Sequence, residues 1–270
     1  VMLPNIPAMP LTWLALARLG AVMVPVNPAY STREVTYVIN DSDSEYVVID
    51  AQVLPVLEAA LAEGAVAIPR SRIFVAGGAP DGFARWEDLA AADHVDDFAA
   101  PEPVGHDDLL NIQYTSGTTG FPKGCMLTQR YWLTSGKVNA FRDGRRYERI
   151  LASTPFFYMD PQWLLLMTFY QRGTLFVAAR QSGSRFLEWL RSYRINFCLF
   201  PLILCKNPDS PLDRLHEVVR ANVYGVPRDL HARLEEWWAP APAACRRLSA
   251  NAASPTRRAA PFPWARWASC

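Results

Sequence analysis

The sequence has few lysines, no closely paired cysteines and no long apolar run. Its 270 residues include 24 arginines but only three lysines, and the formal net charge is +1. A balance this close to neutral lacks the basic patch that proteins use to bind nucleic acid or an anionic membrane. No apolar stretch reaches the roughly 18 residues that a membrane-spanning helix needs. We therefore predict a protein that binds no nucleic acid and has no transmembrane segment.

Cysteine motifs and a leader pattern are also missing. The five cysteines form no C-x-x-C pair and are odd in number, which argues against a disulfide framework or a zinc site. The first residues lack a charged start followed by an apolar block and a small-residue cleavage site, so we predict no signal peptide. Together these absences predict a cytoplasmic protein with buried or incidental thiols.

The histidines show none of the spacings of a metal-binding motif, so a protein-built metal site is not expected. We predict that all four are surface residues: His94, His106, His216 and His231.

The composition that is present belongs to a folded protein. Half of the residues are hydrophobic and 20% are charged. Disorder needs low hydrophobicity and a high net charge, so it is excluded for the chain as a whole. The length allows one or two domains, each able to bury a core.

The composition changes after Glu236, the last acidic residue. Residues 237–270 contain no aspartate, glutamate or lysine, but five arginines, five prolines, four tryptophans and eleven alanines. This mixture is typical of a GC-rich gene read out of frame, and it lacks the apolar periodicity of a folded element. We predict a frameshifted, non-homologous and disordered tail over 237–270. A genuine proline-rich extension that binds an aromatic groove is the alternative.

Before that point, strand-like and helix-like segments alternate. The patterns predict helices over 10–19, 31–40, 51–63, 160–173, from 184 onward and over 228–236, and strands over 21–26, 46–49, 72–76, 150–154, 174–179 and 196–200. Ser31 and Glu34 form a capping box at the start of the second helix. Residues 77–107 are acidic and predict a surface connection. Such alternation predicts an α/β fold with largely parallel sheets.

The segment from Tyr114 to Gly124, Y-T-S-G-T-T-G-F-P-K-G, carries the clearest chemistry. Its glycines let the backbone approach a ligand and aim successive N–H groups at it. The hydroxyl donors are Thr115, Ser116, Thr118 and Thr119. Lys123 adds a compact positive charge. The segment suits a polyphosphate, although its spacing is not that of a Walker A loop, a kinase glycine-rich loop or a Rossmann fingerprint.

This motif resembles the phosphate-loop signature of the adenylate-forming (AMP-binding) enzyme superfamily, which includes acyl-CoA synthetases, firefly luciferase and peptide-synthetase adenylation domains. Other segments agree: V-P-V-N-P at 24–28, the helix–strand pair at 31–50, and P-F-F-Y at 155–158. The resemblance covers about 1–236. It implies that this region is part of the large N-terminal domain of such enzymes, truncated at its start, a layered α/β structure with mostly parallel sheets, with the C-terminal domain absent.

The resemblance also implies a reaction. A small-molecule carboxylic acid attacks the α-phosphate of ATP to give an acyl-adenylate and pyrophosphate, and a thiol, usually coenzyme A, then displaces AMP. Mg²⁺ spreads the phosphate charge. The residues expected to bind the β- and γ-phosphates of ATP are Thr115, Ser116, Gly117, Thr118, Thr119, Gly120 and Lys123. Catalysis of this kind consists mainly of positioning and charge stabilisation.

Three further residues are assigned by resemblance alone. Phe157 and Tyr158 would stand beside the acyl pocket, where relatives often have histidine in place of this tyrosine; core packing is the alternative interpretation. Tyr224 lies in N-V-Y-G, at the position of a glycine-rich turn on the adenine side in relatives. The tyrosine at 158 keeps an aromatic wall and a hydroxyl but lacks the imidazole of those relatives.

The second signature of the family, Y-G-x-T-E, is not found after the helix predicted at 228–236. We therefore expect this chain to be inactive as a ligase as written. If another reading frame after codon 236 encodes the signature, the gene is a broken or misread copy of such an enzyme; if none does, the tail is genuine. Three functions remain open: a truncated acid–thiol ligase, a non-catalytic ATP-binding remnant, and an interaction fragment with a genuine tryptophan- and proline-rich tail.

Overall fold

The computed structural model of the chain describes residues 1–91, 102–115, 122–206, 210, 212–226, 234 and 265–268. The chain divides into two compact units: Val1–Thr134 with Phe156–Met159, and Ser135–Pro155 with Asp160–Cys270. Both contain helices and mostly parallel strands, as the sequence predicts. Among the described residues, no helix combines the length and the apolar character required to cross a membrane.

The first unit contains the two strands that precede and follow the glycine- and threonine-rich segment in the sequence. In chain order its elements are α1 (Ala8–Leu19), α2 (Thr32–Asp41), β1 (Val47–Asp50), α3 (Leu54–Ala62), β2 (Ile73–Ala76), β3 (Ala84–Arg85), α4 (Trp86–Ala91), β4 (Leu109–Thr115), β5 (Lys123–Thr128) and the first turns of α5 (Gln129–Phe141). The boundary between the two units falls inside α5.

Strands β1, β2 and β3 form a parallel sheet in that order. Val47 lies opposite Ile73 and Asp50 opposite Ala76. The buried side chains of this sheet and of α2 and α3 form one apolar core, whose members include Val35, Val38, Ile49, Leu57, Ile73 and Val75. This core holds α2 against the sheet.

The predicted helix boundaries in this unit are confirmed where the capping chemistry is strong. Helix α1 ends at Gly20, whose φ of 73° is the left-handed conformation that glycine adopts without a steric penalty. Helix α2 begins with the predicted capping box, in which the Ser31 hydroxyl accepts a hydrogen bond from the Glu34 amide and the Glu34 carboxylate accepts one from the Ser31 amide.

The strand predicted at 21–26 is wrong except at one residue. Met23 alone forms a bridge, to Asn111 of β4. Pro25 has no amide hydrogen, so it cannot continue a ladder of backbone hydrogen bonds. The apolar content of the segment instead reflects burial of Met23, Val24 and Val26.

The surface connection predicted at 77–107 contains a short helix and a strand that the sequence analysis missed. The helix is α4, and two long-range contacts hold its first turn: Trp86 Nε1 donates to Thr12 Oγ1 at 2.9 Å, and Glu87 Oε1 accepts from the Gly77 amide at 2.8 Å. A six-residue helix has little stability of its own, so these contacts decide its conformation.

The second unit is built on a five-stranded parallel sheet in the order β10–β7–β6–β8–β9. Its elements are the rest of α5, β6 (Arg149–Ala152), α6 (Met159–Gln171, from Asp160 on), β7 (Thr174–Ala178), α7 (Phe186–Ser192), β8 (Phe197–Leu199), β9 (Arg220–Asn222) and β10 (Ala265–Ala268). Residues of β6, β7, α7 and β8 share a buried core that includes Leu151, Phe176, Phe186, Trp189 and Cys198.

The alternation predicted for this unit is confirmed, and α5, β9 and β10 are additions that the sequence analysis did not predict. The helix predicted over 228–236 lies outside the described residues except for residue 234. Within 237–270 the structure describes only β10, which pairs with β7 in parallel. The expectation of a disordered tail concerns residues that otherwise lie outside the described chain, and it stays a prediction.

Candidate phosphate-binding site

The candidate site lies where β4 and β5 meet. The two strands are antiparallel, and Thr115, the last residue of β4, lies directly opposite Lys123, the first residue of β5. Both side chains are exposed. The Thr115 hydroxyl lies 3.5 Å from the Lys123 carbonyl oxygen. The hairpin therefore presents a hydroxyl and an ammonium group at the same end of the two strands.

The middle of the predicted phosphate loop, with Ser116, Gly117, Thr118, Thr119 and Gly120, lies outside the described residues. The structure brings together the two ends of that loop. Thr115 and Lys123 are paired across the hairpin, so the two described ends of the predicted loop lie side by side.

Two tyrosines and a carboxylate lie at the end of the hairpin that carries Thr115 and Lys123. Tyr37 of α2 donates a hydrogen bond from its hydroxyl to the Pro122 carbonyl oxygen at 3.0 Å. Tyr114 of β4 donates to Asp41 Oδ2, at the end of α2, at 2.5 Å. The two rings meet edge to face, with centroids 6.3 Å apart. Helix α2 thus contacts both Tyr114 at the end of β4 and Pro122 just before β5.

Both phenols are neutral donors in this arrangement. Burial, the hydrogen bond to Asp41 and the charge of Asp41 raise the pKa of Tyr114 well above its usual value. Burial and the charge of Asp41 also raise the pKa of Tyr37. Neither hydroxyl therefore loses its proton at physiological pH.

Gly124 allows β4 and β5 to pack closely at the same place. A Cβ atom at this position would lie 2.7 Å from Ile112 Cγ2 and 3.2 Å from Tyr114 Cζ. The Tyr114 ring therefore occupies the space that a side chain at 124 would need. This gives a steric reason for the glycine that follows Lys123.

Phe157 and Tyr158, predicted beside an acyl pocket, belong to the same unit as the hairpin. Gln113 of β4 donates from Nε2 to the Phe157 carbonyl oxygen, and Asn5 accepts from the amide of Phe156 at 2.8 Å. The Phe157 and Tyr158 rings are 4.4 Å apart. Tyr158 is 51% exposed, so core packing does not explain it.

Gln113 was missed by the sequence analysis although it directly precedes the motif. It is 6% exposed, and its Oε1 has no hydrogen-bond partner among the described residues. The Phe157 carbonyl can only accept, so the amide nitrogen of Gln113 must face it. Within the described part of the chain, a buried acceptor without a partner therefore lies next to the Phe157 segment.

Tyr224, the predicted adenine-side residue, belongs to the second unit. Its hydroxyl donates to Asp160 Oδ1 at 3.2 Å, and the same oxygen accepts from Trp163 Nε1 at 3.1 Å. Burial and the nearby Asp160 carboxylate raise the pKa of Tyr224 to about 12. The hydrogen bond to Asp160 thus fixes the hydroxyl, and 58% of the residue is nevertheless exposed to solvent.

The described part of the chain contains no group of three or more histidine, cysteine or carboxylate side chains that could hold a metal ion. One of the four histidines nevertheless contradicts its prediction. His216 is 2% exposed rather than on the surface, and its Nδ1 accepts a hydrogen bond from the Val218 amide at 3.2 Å. His106 is exposed as predicted, whereas His94 and His231 lie outside the described residues.

Comparison with known proteins gives a consistent result. A family model described as AMP-binding enzyme matches residues 1–205. A crotonobetaine/carnitine–CoA ligase of Escherichia coli O1:K1 is 30% identical over 229 residues, which are 82% of this chain and 44% of that relative. The chain therefore spans less than half the length of the curated relatives that it matches.

Solved structures show the same fold. The inhibitor-bound N-terminal domain of FACL13 from Mycobacterium tuberculosis is 27% identical with a TM-score of 0.67, over 85% of this chain and 57% of that one. The luciferase-like enzyme of the mealworm Zophobas morio is 18% identical with a TM-score of 0.75, over 88% of this chain and 56% of that one.

Proposed function

Since the chain belongs to the AMP-binding enzyme family, we propose that it derives from an acid–thiol ligase that activates a carboxylic acid with ATP and passes the acyl group to coenzyme A. In the first half-reaction the carboxylate would attack the α-phosphorus of ATP, and the bond to the bridging oxygen would break to release pyrophosphate. In the second, the thiol would displace AMP. The curated relatives are acyl-CoA ligases by name, which supports this class of reaction.

The observation that carries the proposal is the pairing of Thr115 with Lys123 at the end of a hairpin. We propose that the turn between them binds the β- and γ-phosphates through Thr115, Lys123 and the residues between, namely Ser116, Gly117, Thr118, Thr119 and Gly120. Backbone N–H groups and a lysine would stabilise the negative charge of the departing pyrophosphate. The exposure of both described side chains leaves them available to a ligand.

We propose that the organic acid binds on the side of β4 where Gln113 contacts the Phe157 segment. The exposed Tyr158 ring would form an aromatic wall. Tyr224 is proposed to contact the adenine, because its hydroxyl is held by Asp160 and leaves the ring open. The relatives named for crotonobetaine and carnitine favour a small acid; aryl and fatty acids are the alternatives that an acid panel must include.

The resemblance to this family implies that Mg²⁺ accompanies ATP. The described residues supply no cluster that could hold it, so we assign it no protein ligand and no step. Mg²⁺ usually keeps several waters and binds through phosphate oxygens with one or two carboxylates.

We further propose that the 270-residue chain does not complete this reaction by itself. It spans 44% of its curated relatives, and Y-G-x-T-E does not occur in it. We predict that the purified chain incubated with ATP, Mg²⁺, coenzyme A and a panel of acids, including crotonobetaine, forms no acyl-CoA. Mass spectrometry of the products is the measurement. Acyl-CoA formation above that of a Lys123→Ala control would contradict the predicted inactivity.

A non-catalytic ATP-binding remnant is the second candidate, because it needs only the hairpin site. It predicts saturable ATP binding without acid-dependent exchange of pyrophosphate into ATP, also in a longer protein that spans the full length of the relatives. An interaction fragment predicts instead a partner that binds 237–270 alone.

A further inference from the structure

We propose that Tyr37 and Asp41 of α2 are positioning residues that fix both ends of the phosphate-binding turn. We call Tyr37, Asp41, Tyr114 and the Pro122 carbonyl the loop anchor. The inference rests on the proposed function, because it assigns these residues a role in binding the triphosphate. They would act through the backbone of the turn and would not touch the nucleotide.

The contact at the exit of the turn comes from Tyr37. Its hydroxyl donates to the carbonyl oxygen of Pro122, the residue just before Lys123, at 3.0 Å. Pro122 has a fixed φ. A hydrogen bond to its carbonyl therefore sets the direction in which the chain enters β5, and with it the position of Lys123.

The contact at the entrance comes from Asp41. Its Oδ2 accepts a hydrogen bond from the Tyr114 hydroxyl at 2.5 Å. Tyr114 directly precedes Thr115, and its ring lies over Gly124 on the opposite strand. A charged acceptor makes this hydrogen bond stronger than a neutral one. The entrance and the exit are thus held from the same helix.

The position of Asp41 is not explained by the stability of α2. It is the last residue of the helix, where the partial negative charge of the helix end disfavours a carboxylate. Tyr37 lies four residues earlier, on the same helical face. The two residues therefore form a pair directed at the hairpin.

Helix α2 is a firm base for such an anchor. The Ser31–Glu34 capping box fixes its start, and Val35, Val38 and Ile39 are buried in the core of the first unit, against which the Tyr37 ring also packs. A residue held by a rigid element can position a loop more accurately than one held by another loop.

The first experiment compares ATP and AMP binding by the full 270-residue chain and its Tyr37→Phe variant, using titration calorimetry. The variant loses one hydroxyl. We expect the Kd for ATP to rise about three- to tenfold, the range for one net hydrogen bond, and the Kd for AMP to stay unchanged because AMP lacks the β- and γ-phosphates. A general structural defect would weaken both nucleotides equally and would overturn the inference. Tyr46→Phe removes a 58% exposed phenol elsewhere in this unit and is the control.

A second experiment needs no nucleotide. The chain has three lysines, at 123, 137 and 206, so a protease that cleaves only after lysine reports on β5 directly. We expect Tyr37→Phe and Asp41→Asn each to accelerate cleavage after Lys123 severalfold while cleavage after Lys137 keeps its rate. Asp43→Asn, which removes the same charge two residues later, is the matched control. Unchanged cleavage at Lys123 in both anchor variants would overturn the inference.

The two experiments separate the two proposals. If the wild-type chain binds no ATP, the proposed function fails, and cleavage at Lys123 still decides whether the anchor exists. If the wild-type chain binds ATP and the anchor variants bind it equally well, the proposed function stands and the anchor fails.

Discussion

At the scale of single residues, the site depends on side chains that are small or neutral for steric and electrostatic reasons. Gly124 is needed because Tyr114 and Ile112 fill the space above it. Tyr37 and Tyr114 serve as donors because burial and Asp41 keep their hydroxyls protonated. The phosphate-binding role of the motif could be proposed from the sequence. The contact that Tyr37 makes could not, because its hydrogen-bond partner Pro122 lies 85 residues away.

We predict that Gly124→Ala destabilises the protein by about 1–3 kcal/mol, the usual cost of overpacking. The new methyl group would lie 2.7 Å from Ile112 Cγ2, so neighbouring atoms must shift. Urea unfolding measures the change. Gly105→Ala is the control, because the nearest atoms to a Cβ there belong to the Asp108 carboxylate, at an ordinary distance of 3.6 Å or more. Equal stability of the two variants would contradict the steric explanation.

Gln113 gives a pH-dependent test. In Gln113→Glu, a protonated acid can donate to the Phe157 carbonyl, whereas a carboxylate cannot. Burial raises the pKa of the new acid in the folded state, so the folded state binds more protons than the unfolded state and the variant loses stability as the pH rises.

We therefore expect the free energy of unfolding of Gln113→Glu to fall further below that of the wild type at pH 8 than at pH 5. Gln52→Glu, at an exposed position, should show the same small difference at both pH values. A pH-independent deficit in Gln113→Glu would show that the side chain does not face the carbonyl.

At the scale of elements, local chemistry decided which predictions succeeded. Helices with a capping box or a terminal glycine were predicted close to their true ends, as α1 and α2 illustrate. Helix α4 and strand β9 could not be predicted, because both depend on partners distant in sequence. Trp86 of α4 reaches Thr12, and β9 pairs with β8.

In the second unit, the end of α5 is also held by a partner distant in sequence, and this contact gives a testable prediction. Asp143 accepts hydrogen bonds from the Tyr147 hydroxyl and from Arg220 Nη1, the latter at 2.7 Å, which ties the turn after α5 to β9. Partial burial alone would raise the pKa of Asp143, but the hydrogen bonds from Tyr147 and the Arg145 amide and the charge of Arg145 outweigh it and lower that pKa.

A carboxylate with a lowered pKa stabilises the folded state above the pKa of the unfolded state, about 3.9 for aspartate, and this contribution disappears as the pH falls through the folded value. We predict that Asp143→Asn is less stable than the wild type at pH 7 and that the difference shrinks below about pH 4. Chemical unfolding across this range is the measurement, with the exposed Asp81→Asn as control. A difference that persists undiminished at low pH would contradict this electrostatic account.

At the scale of the whole molecule, the family and the α/β architecture followed from one long motif and a regular alternation of elements. The match to AMP-binding enzymes over residues 1–205 confirms the family, and the mostly parallel sheets of the structure confirm the architecture. The details of the site did not follow, because the acyl and adenine residues were assigned by resemblance and depend on contacts that only the folded chain makes. Gln113 illustrates this: its role as a donor to Phe157 joins residues 44 positions apart.

The most direct test of the central claim is a titration of the 270-residue chain with ATP, comparing the wild type with Lys123→Ala and Lys137→Ala. Both variants remove one exposed lysine, but only the first lies on the predicted phosphate turn. We predict saturable binding by the wild type and by Lys137→Ala, and a loss of at least about tenfold in affinity for Lys123→Ala, the order expected for removing a charged hydrogen-bond donor. Equal affinities in all three proteins, or no binding by the wild type, would contradict the assignment of the β4–β5 hairpin as a phosphate-binding site.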